Sequence, residues 1–148
     1  ADFRFTTPDA QWSLMEARWG LIPDMSGVQA LSELVGIETA KRLTMTAAVI
    51  DGNEAARLGL VGNVDADPIA AATAFAAELA TRSPDQLAAA KRLFSETWHR
   101  SPRRTFSRER FEQVRLLASA NTAAARQAAF KKVSATFGER SRFSRIGW

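Results

Sequence analysis

A chain of 148 residues is long enough for a small domain to bury most of its apolar surface, and its lack of cysteine excludes disulfides, thiolate nucleophiles and zinc–thiolate sites. The net charge of +4 conceals an asymmetry: residues 1–90 carry 6 Lys/Arg against 12 Asp/Glu, a balance of −6, and residues 91–148 carry 14 against 4, a balance of +10. The basic part suits a phosphate-bearing small molecule, nucleic acid or an anionic surface, and charge alone does not choose among them.

In chain order, residues 3–5 and 11–14 read as short strands around a Pro8-Asp9 turn. A strand this close to residue 1 calls for neighbours that few other segments can supply, so the chain is expected to be part of a longer protein. Residues 20–27 form a loop punctuated by Pro23. Residues 28–35 read as a helix with Val28, Leu31, Leu34 and Val35 on one face and Gly36 as its stop, followed by a second helix over residues 38–43. Asp51-Gly52-Asn53-Glu54 matches a capping box in which the Asp51 side chain accepts from the Glu54 N–H. It opens a helix through Leu58, closed by Gly59, ahead of a strand over Leu60-Val61 and Val64.

From Pro68 the pattern becomes helix upon helix. Residues 68–82 are alanine-rich, with Ile69, Thr73, Ala76 and Leu79 along one stripe. Ser83-Pro84-Asp85 places a cap, a first-turn proline and an early acid in order for a helix over 84–98, and Ser101-Pro102 repeats the signal to about Ser119. Asn121 is expected to cap a last helix to about Ala135, ended by Gly138. The chain thus divides into an α/β piece over 1–66, a helical region over 67–138 and a basic tail over 139–148 expected to be mobile. The helical region has too little core of its own, so it is expected to pack on a neighbouring subunit. No run approaches 18 apolar residues and no signal-type segment opens the chain, so no membrane span is expected and the cytoplasm is the expected compartment.

Glu16 and Asp24 stand eight residues apart in the otherwise apolar stretch from Trp12 to Gly27. Apolar surroundings strip water from a carboxylate and raise its pKa, which suits it to carry protons. Two plainer roles are open: Asp24 as the N-cap of the following helix, and Glu16 as the ion-pair partner of Arg18 or Arg4. The lone His99 reads as a surface residue at a helix end, favoured by the helix dipole. With one histidine and no cysteine, no metal site is expected. Phe94, Trp98, Phe106 and Phe111 read as packing residues, and Lys131 and Lys132 after Phe130 as a solvated helix face.

Residues 10–31 closely follow the pattern A-x-F-x-x-P-E-x-x-x-G-(L/I)-x-P-G-x-G-G-x-x-x-L, with Glu16, Gly20, Leu21, Pro23, Gly27 and Leu31 in place. Leu43-Thr44-Met45-Thr46 and residues 50–61, with Glu54, Ala55, Gly59, Leu60 and Val61, match a second stretch. Residues 84–93, with Ala90-Lys91, match a P-x-A-x-x-x-A-K segment. In these features the chain resembles the C-terminal half of the crotonases, the enoyl-CoA hydratase/isomerase superfamily.

The resemblance implies an α/β fold, the C-terminal portion of the ClpP/crotonase spiral followed by a helical trimerisation region, and a homotrimer or hexamer. It implies an acyl-CoA substrate whose thioester oxygen is held by two backbone N–H groups, with coenzyme A entering as part of the substrate and no other cofactor. Glu16 falls on the hydratase general acid/base. The first hydratase glutamate and the oxyanion-hole donors are expected ahead of Ala1. Asp24 replaces a glycine of the hydratase pattern, and crotonases with Asp there include dienoyl-CoA isomerases and 3-hydroxyisobutyryl-CoA hydrolases. An enoyl-CoA hydratase using Glu16 and a double-bond isomerase using Glu16 and Asp24 are therefore both open. Phe130, Lys131 and Lys132 lie one residue away from where family members set a Phe and a Lys against a neighbour's CoA. RNA binding through the basic half, or a crotonase fragment with a packing role only, stand behind these readings because CoA carries phosphates itself.

Overall fold

The computed structural model describes residues 1–24 and 26–141. Two compact units, residues 1–74 and 75–148, divide the chain, the division falling within α4 (Pro68–Ala80).

In the first unit, β1 (Phe5–Thr6) pairs in parallel with β2 (Asn63–Val64), Phe5 opposite Asn63 and Thr6 opposite Val64. The strand expected over 11–14 is a single antiparallel bridge, in which Trp12 and Ile50 exchange backbone hydrogen bonds of 2.9 and 3.0 Å. Three helices follow: α1 (Gly27–Val35), α2 (Ile37–Thr46) and α3 (Gly52–Arg57). Gly36, at φ 74°, separates α1 from α2; it donates to the Ser32 carbonyl and accepts from the Ala40 N–H. The second helix thus begins immediately and runs three residues beyond its expected end.

The core of this unit is Leu31, Ala40, Leu43, Ala55, Leu60 and Val61, with Trp12, Leu14, Val35, Ala48, Ile50 and Leu58 packed against it. Of the apolar face expected on α1, Leu31 and Val35 reach this core while Val28 and Leu34 are exposed. Leu60 and Val61, expected in a strand, are core residues of the turn before β2. Their position follows from the end of α3, where the Leu60 N–H bonds the Ala55 carbonyl and the Gly59 N–H the Ala56 carbonyl, both near 3.0 Å. That paired closure needs a left-handed residue, and Gly59 supplies it at φ 88°. At its start, Asp51 caps α3 by accepting from the Glu54 N–H at 2.7 Å, as the capping box requires. The Glu54 side chain turns to Arg57 instead, at 2.6 Å.

Where α3 begins, the chain approaches the strand segment so closely that a Cβ on Gly52 would lie 1.9 Å from the Thr7 carbonyl oxygen. The Gly52 N–H donates to the Pro8 carbonyl at 3.0 Å. Only a residue without a side chain fits that gap.

The second unit contains α5 (Pro84–Thr97), α6 (Pro102–Leu117) and α7 (Ala120–Lys131). Ser83 caps α5 through the Gln86 N–H at 3.4 Å. Asn121, expected as the cap of the last helix, lies inside α7; Ser119 is the cap and accepts from the Thr122 N–H at 3.1 Å. The helix stops at Lys131 because Lys132 adopts the left-handed conformation, φ 54°, and lets the Val133 N–H reach back to the Ala128 carbonyl. Phe94, Trp98, Phe106 and Phe111 were expected to pack, yet each is more than half exposed within this chain. Phe94 and Trp98 make a tilted pair, and the guanidinium groups of Arg108 and Arg115 lie over the Phe111 ring at 5.4 and 5.3 Å. Of the tail expected to be mobile, residues 142–148 lie outside the described residues, while Glu139 and Ser141 hydrogen-bond to buried side chains. No helix among the described residues is long and apolar enough to cross a membrane.

Between α5 and α6, the buried Glu112 carboxylate meets Arg92 at 2.9 Å, Arg108 at 3.1 Å and Arg115 at 3.8 Å. Burial pushes its pKa up, but the Arg92 hydrogen bond and the charges of Arg92, Arg108 and Arg115 outweigh it and hold Glu112 below the ordinary carboxylate range. A carboxyl held low in the folded state adds stability above its unfolded pKa, near 4.5, and loses that contribution as pH falls through the folded value.

Two stability measurements follow. Gly52→Ala should destabilise the first unit by about 1–3 kcal/mol, since the added methyl meets backbone that cannot step aside; an unchanged melting temperature would contradict this packing. Glu112→Gln should cost on the order of 3 kcal/mol by leaving buried arginines without their counter-charge. It should also flatten the loss of stability on acidification below pH 4.5, read by denaturant titration at pH 7 and pH 3.5.

Candidate active site

Glu16 opens a 3₁₀ turn, Glu16–Trp19, that packs against α2. Local chemistry explains the turn. The Leu21 N–H bonds the Glu16 carbonyl at 3.0 Å and the Gly20 N–H the Ala17 carbonyl at 3.3 Å, with Gly20 left-handed at φ 68°. This is the closure that ends α3. Its sequence signal, an alanine followed three residues later by a glycine and then a leucine, lies between the strand expected over 11–14 and the loop expected over 20–27.

The Glu16 side chain is half-buried, and its Oε2 is shielded from solvent without a hydrogen-bond partner among the described residues. No ion pair joins it to Arg18 or Arg4 among those residues; Arg4 instead donates to the Leu60 carbonyl. A shielded acceptor left unpaired costs roughly 1–3 kcal/mol, and such groups mark places where a ligand or a reaction supplies the missing partner. Trp19, Leu21 and Ile22, carried on or just after the turn, are largely exposed apolar side chains.

Asp24 is exposed, contrary to the expectation that both acids sit in apolar surroundings. Pro23 takes the inward position: it is buried, and its Cβ would touch a side chain added to Gly27 at 3.3 Å. Asp24 does not cap α1 with its side chain. The cap position belongs to Ser26, which is left-handed at φ 66° and makes no side-chain cap bond. Asp24 contributes its main-chain carbonyl, which accepts from the Gly27 N–H at 2.9 Å. Glu16 and Asp24 are thus held at the two ends of one short turn-and-loop segment, the first shielded and the second in solvent.

Phe130, Lys131 and Lys132 are exposed at the C-terminal end of α7. His99 is exposed just past the end of α5. Three buried polar residues carry structural roles that sequence reasoning did not assign: Asp85, Glu112 and Asn121. Asp85 and Asn121 were legible only as capping-type residues near helix starts, and Glu112 only as one charge in a basic helix.

The family model for enoyl-CoA hydratase/isomerase matches residues 1–143, and the chain belongs to that family. Among curated relatives it is 31% identical over 121 residues to the probable enoyl-CoA hydratase EchA17 of Mycobacterium tuberculosis, covering 80% of this chain and 46% of that protein. It is 43% identical over 63 residues to the crotonyl-CoA hydratase of Syntrophomonas wolfei, covering 43% of this chain and 24% of the relative. Among solved structures, Pseudomonas aeruginosa DspI superposes with a TM-score of 0.88 at 32% identity, over 93% of this chain and 53% of DspI. The enoyl-CoA hydratase of Bacillus anthracis gives 0.89 at 25% identity, over 93% of this chain and 54% of its own. The fold is therefore crotonase-like, and the chain spans about half the length of the relatives it matches.

Proposed function

We propose that this chain carries the acid/base half of an enoyl-CoA hydratase, with Glu16 moving a proton while water adds across the double bond of a 2-enoyl-CoA. The observation that carries this reading is the shielded, unpartnered Oε2 of Glu16, in a chain of the hydratase/isomerase family. In hydration, hydroxide equivalent goes to C3 and a proton to C2. One carboxyl group that alternates between acid and base serves both directions. The thioester oxygen becomes enolate-like during the reaction and requires N–H donors, which this reading places in the upstream part of the fold.

A second reading, double-bond isomerisation, is favoured by Asp24. Its side chain is exposed and makes no hydrogen bond among the described residues, so it is available to take a proton from one end of an allylic system while Glu16 serves the other. Phe130, Lys131 and Lys132 suit the coenzyme moiety: an exposed ring for the adenine and two ammonium groups for the phosphates. No cofactor beyond the substrate's own CoA enters this reading. The exposed apolar side chains of α5–α7, among them Phe94, Trp98, Val114 and Leu117, support a homotrimer or hexamer, and the cysteine-free composition is compatible with the cytoplasm.

Joined to the upstream half of a relative, the chain should hydrate crotonyl-CoA, followed as loss of enoyl absorbance. Glu16→Gln should lower kcat by roughly 10²–10⁴ with little change in KM; a variant of undiminished rate would remove Glu16 from the chemistry. Asp24→Asn should slow isomerisation of a dienoyl-CoA far more than hydration, whereas small and equal losses would assign Asp24 to the loop alone. Replacing Lys131 and Lys132 together by Ala should raise KM about tenfold, near 1.4 kcal/mol, and leave kcat in place.

A further inference from the structure

The turn between α5 and α6 carries Arg100, Arg103 and Arg104 within five residues, and Arg108 follows one helical turn further on. Arg100, Arg104 and Arg108 line a cavity of about 550 Å³ together with Ser95, Glu96 and Thr97. Arg104 and Arg108 also line a second, of about 320 Å³, with Ser107 and Phe111. Both cavities lie within the second unit.

These guanidinium groups are unevenly used. Arg108 meets both of its carboxylates through one nitrogen, Nη2, with Glu96 at 2.9 Å and Glu112 at 3.1 Å. Its Nε is shielded from solvent and meets no acceptor among the described residues. Arg100 donates from Nε to the Glu96 carbonyl at 3.4 Å, beyond the usual length of such a bond. The Arg104 side chain is exposed and makes no hydrogen bond or ion pair among the described residues. The larger cavity thus sets three guanidinium groups against one carboxylate, a balance of +2. Glu112, the other carboxylate on Arg108, is shared with Arg92 and Arg115, so its charge is already divided.

We propose that this cavity is a subsite for a phosphoryl dianion, held by Arg100 and Arg104 with Arg108 as a fixed charge beside them. The forked N–H donors of a guanidinium match a phosphoryl group two oxygens at a time. Arg104 and Arg108 stand four residues apart and so share a face of α6. Glu96 and Glu112 hold Arg108 in place, while Arg104 has no protein partner to give up on binding. A dianion also meets the balance of +2, whereas a single carboxylate leaves half of it uncompensated. Inorganic phosphate and a phosphate monoester present the same oxygens, and the subsite reads that shared group. It uses neither Glu16 nor residues 130–132, so the inference stands apart from the catalytic reading.

Calorimetric titration of the intact chain with inorganic phosphate tests it, at about pH 8, where the second phosphate proton is lost. Sodium chloride keeps the ionic strength constant throughout. One saturable site per chain is expected. Arg104→Gln should weaken binding at least tenfold. Arg110→Gln, which removes the same charge from α6 but lines neither cavity, should change it less than about twofold. Equal weakening by the two variants would show that binding follows net charge alone and would overturn the subsite, as would the absence of saturation. Adenosine 5′-monophosphate, titrated in the same way, distinguishes the sources. Equal affinity supports a site that reads the phosphoryl group itself, and binding at least tenfold tighter supports a site built for an ester. Binding of an RNA oligomer but of neither small molecule overturns the proposal in favour of a nucleic-acid surface.

Discussion

The near-contact between Gly52 and the Thr7 carbonyl sets how the first unit is assembled. With no side chain in the gap, the start of α3 lies directly on the backbone that leaves β1, and the Gly52 N–H closes on Pro8. Two residues before Gly52, Ile50 then stands where it can bridge to Trp12, and after α3 the chain returns to pair β2 with β1. The Glu16 turn begins four residues beyond Trp12. The segment that carries that carboxylate thus sets out from the Trp12–Ile50 bridge and packs against α2.

The buried acids fall into two physical kinds. Asp85 and Glu112 are almost wholly enclosed, and each is answered: Asp85 by a side-chain amide and a backbone N–H, Glu112 by three guanidinium groups. Removing a carboxylate from water is costly, and such groups persist when their lone pairs are filled and their charge is balanced. Glu16 is less enclosed, yet one of its oxygens is shielded from solvent and meets no donor among the described residues. Within one chain, then, satisfied acids hold helices and a backbone segment together, while the unsatisfied one lies in the segment proposed to carry the chemistry. Satisfaction of the polar atoms distinguishes them, alongside depth of burial.

Much of the helical framework was legible from short-range signals. Asp51 and Ser83 cap α3 and α5 where their spacing to the next N–H predicted, and proline at the first helical position marks α5 and α6. Failures cluster where a residue had two local uses. Asn121 is a good cap by type, but Ser119 occupies the cap position and accepts from the Thr122 N–H, leaving Asn121 to serve contacts 17 to 36 residues distant in sequence. The aromatic residues of α5 and α6 have the spacing of a packed face, yet in this chain they face outward. Periodicity reports that a face is apolar and says nothing of whether the chain itself covers it.

One local pattern occurs twice and separates the two kinds of information. Ala17-Arg18-Trp19-Gly20-Leu21-Ile22 and Ala56-Arg57-Leu58-Gly59-Leu60-Val61 form the same glycine-closed turn, with matching backbone bonds and a left-handed glycine. That much resides in the sequence, because only glycine enters the left-handed region freely and the two backward N–H bonds need no partner beyond the turn. Leu60 and Val61 are nevertheless core residues, while Leu21 and Ile22 are exposed. Family resemblance, the starts of α3, α5 and α6 and the choice of candidate acid were likewise present in the order of residues. Which acid is shielded, which polar atoms are paired and which apolar side chains are covered were decided by tertiary structure alone, since each depends on surfaces brought together from distant parts of the chain.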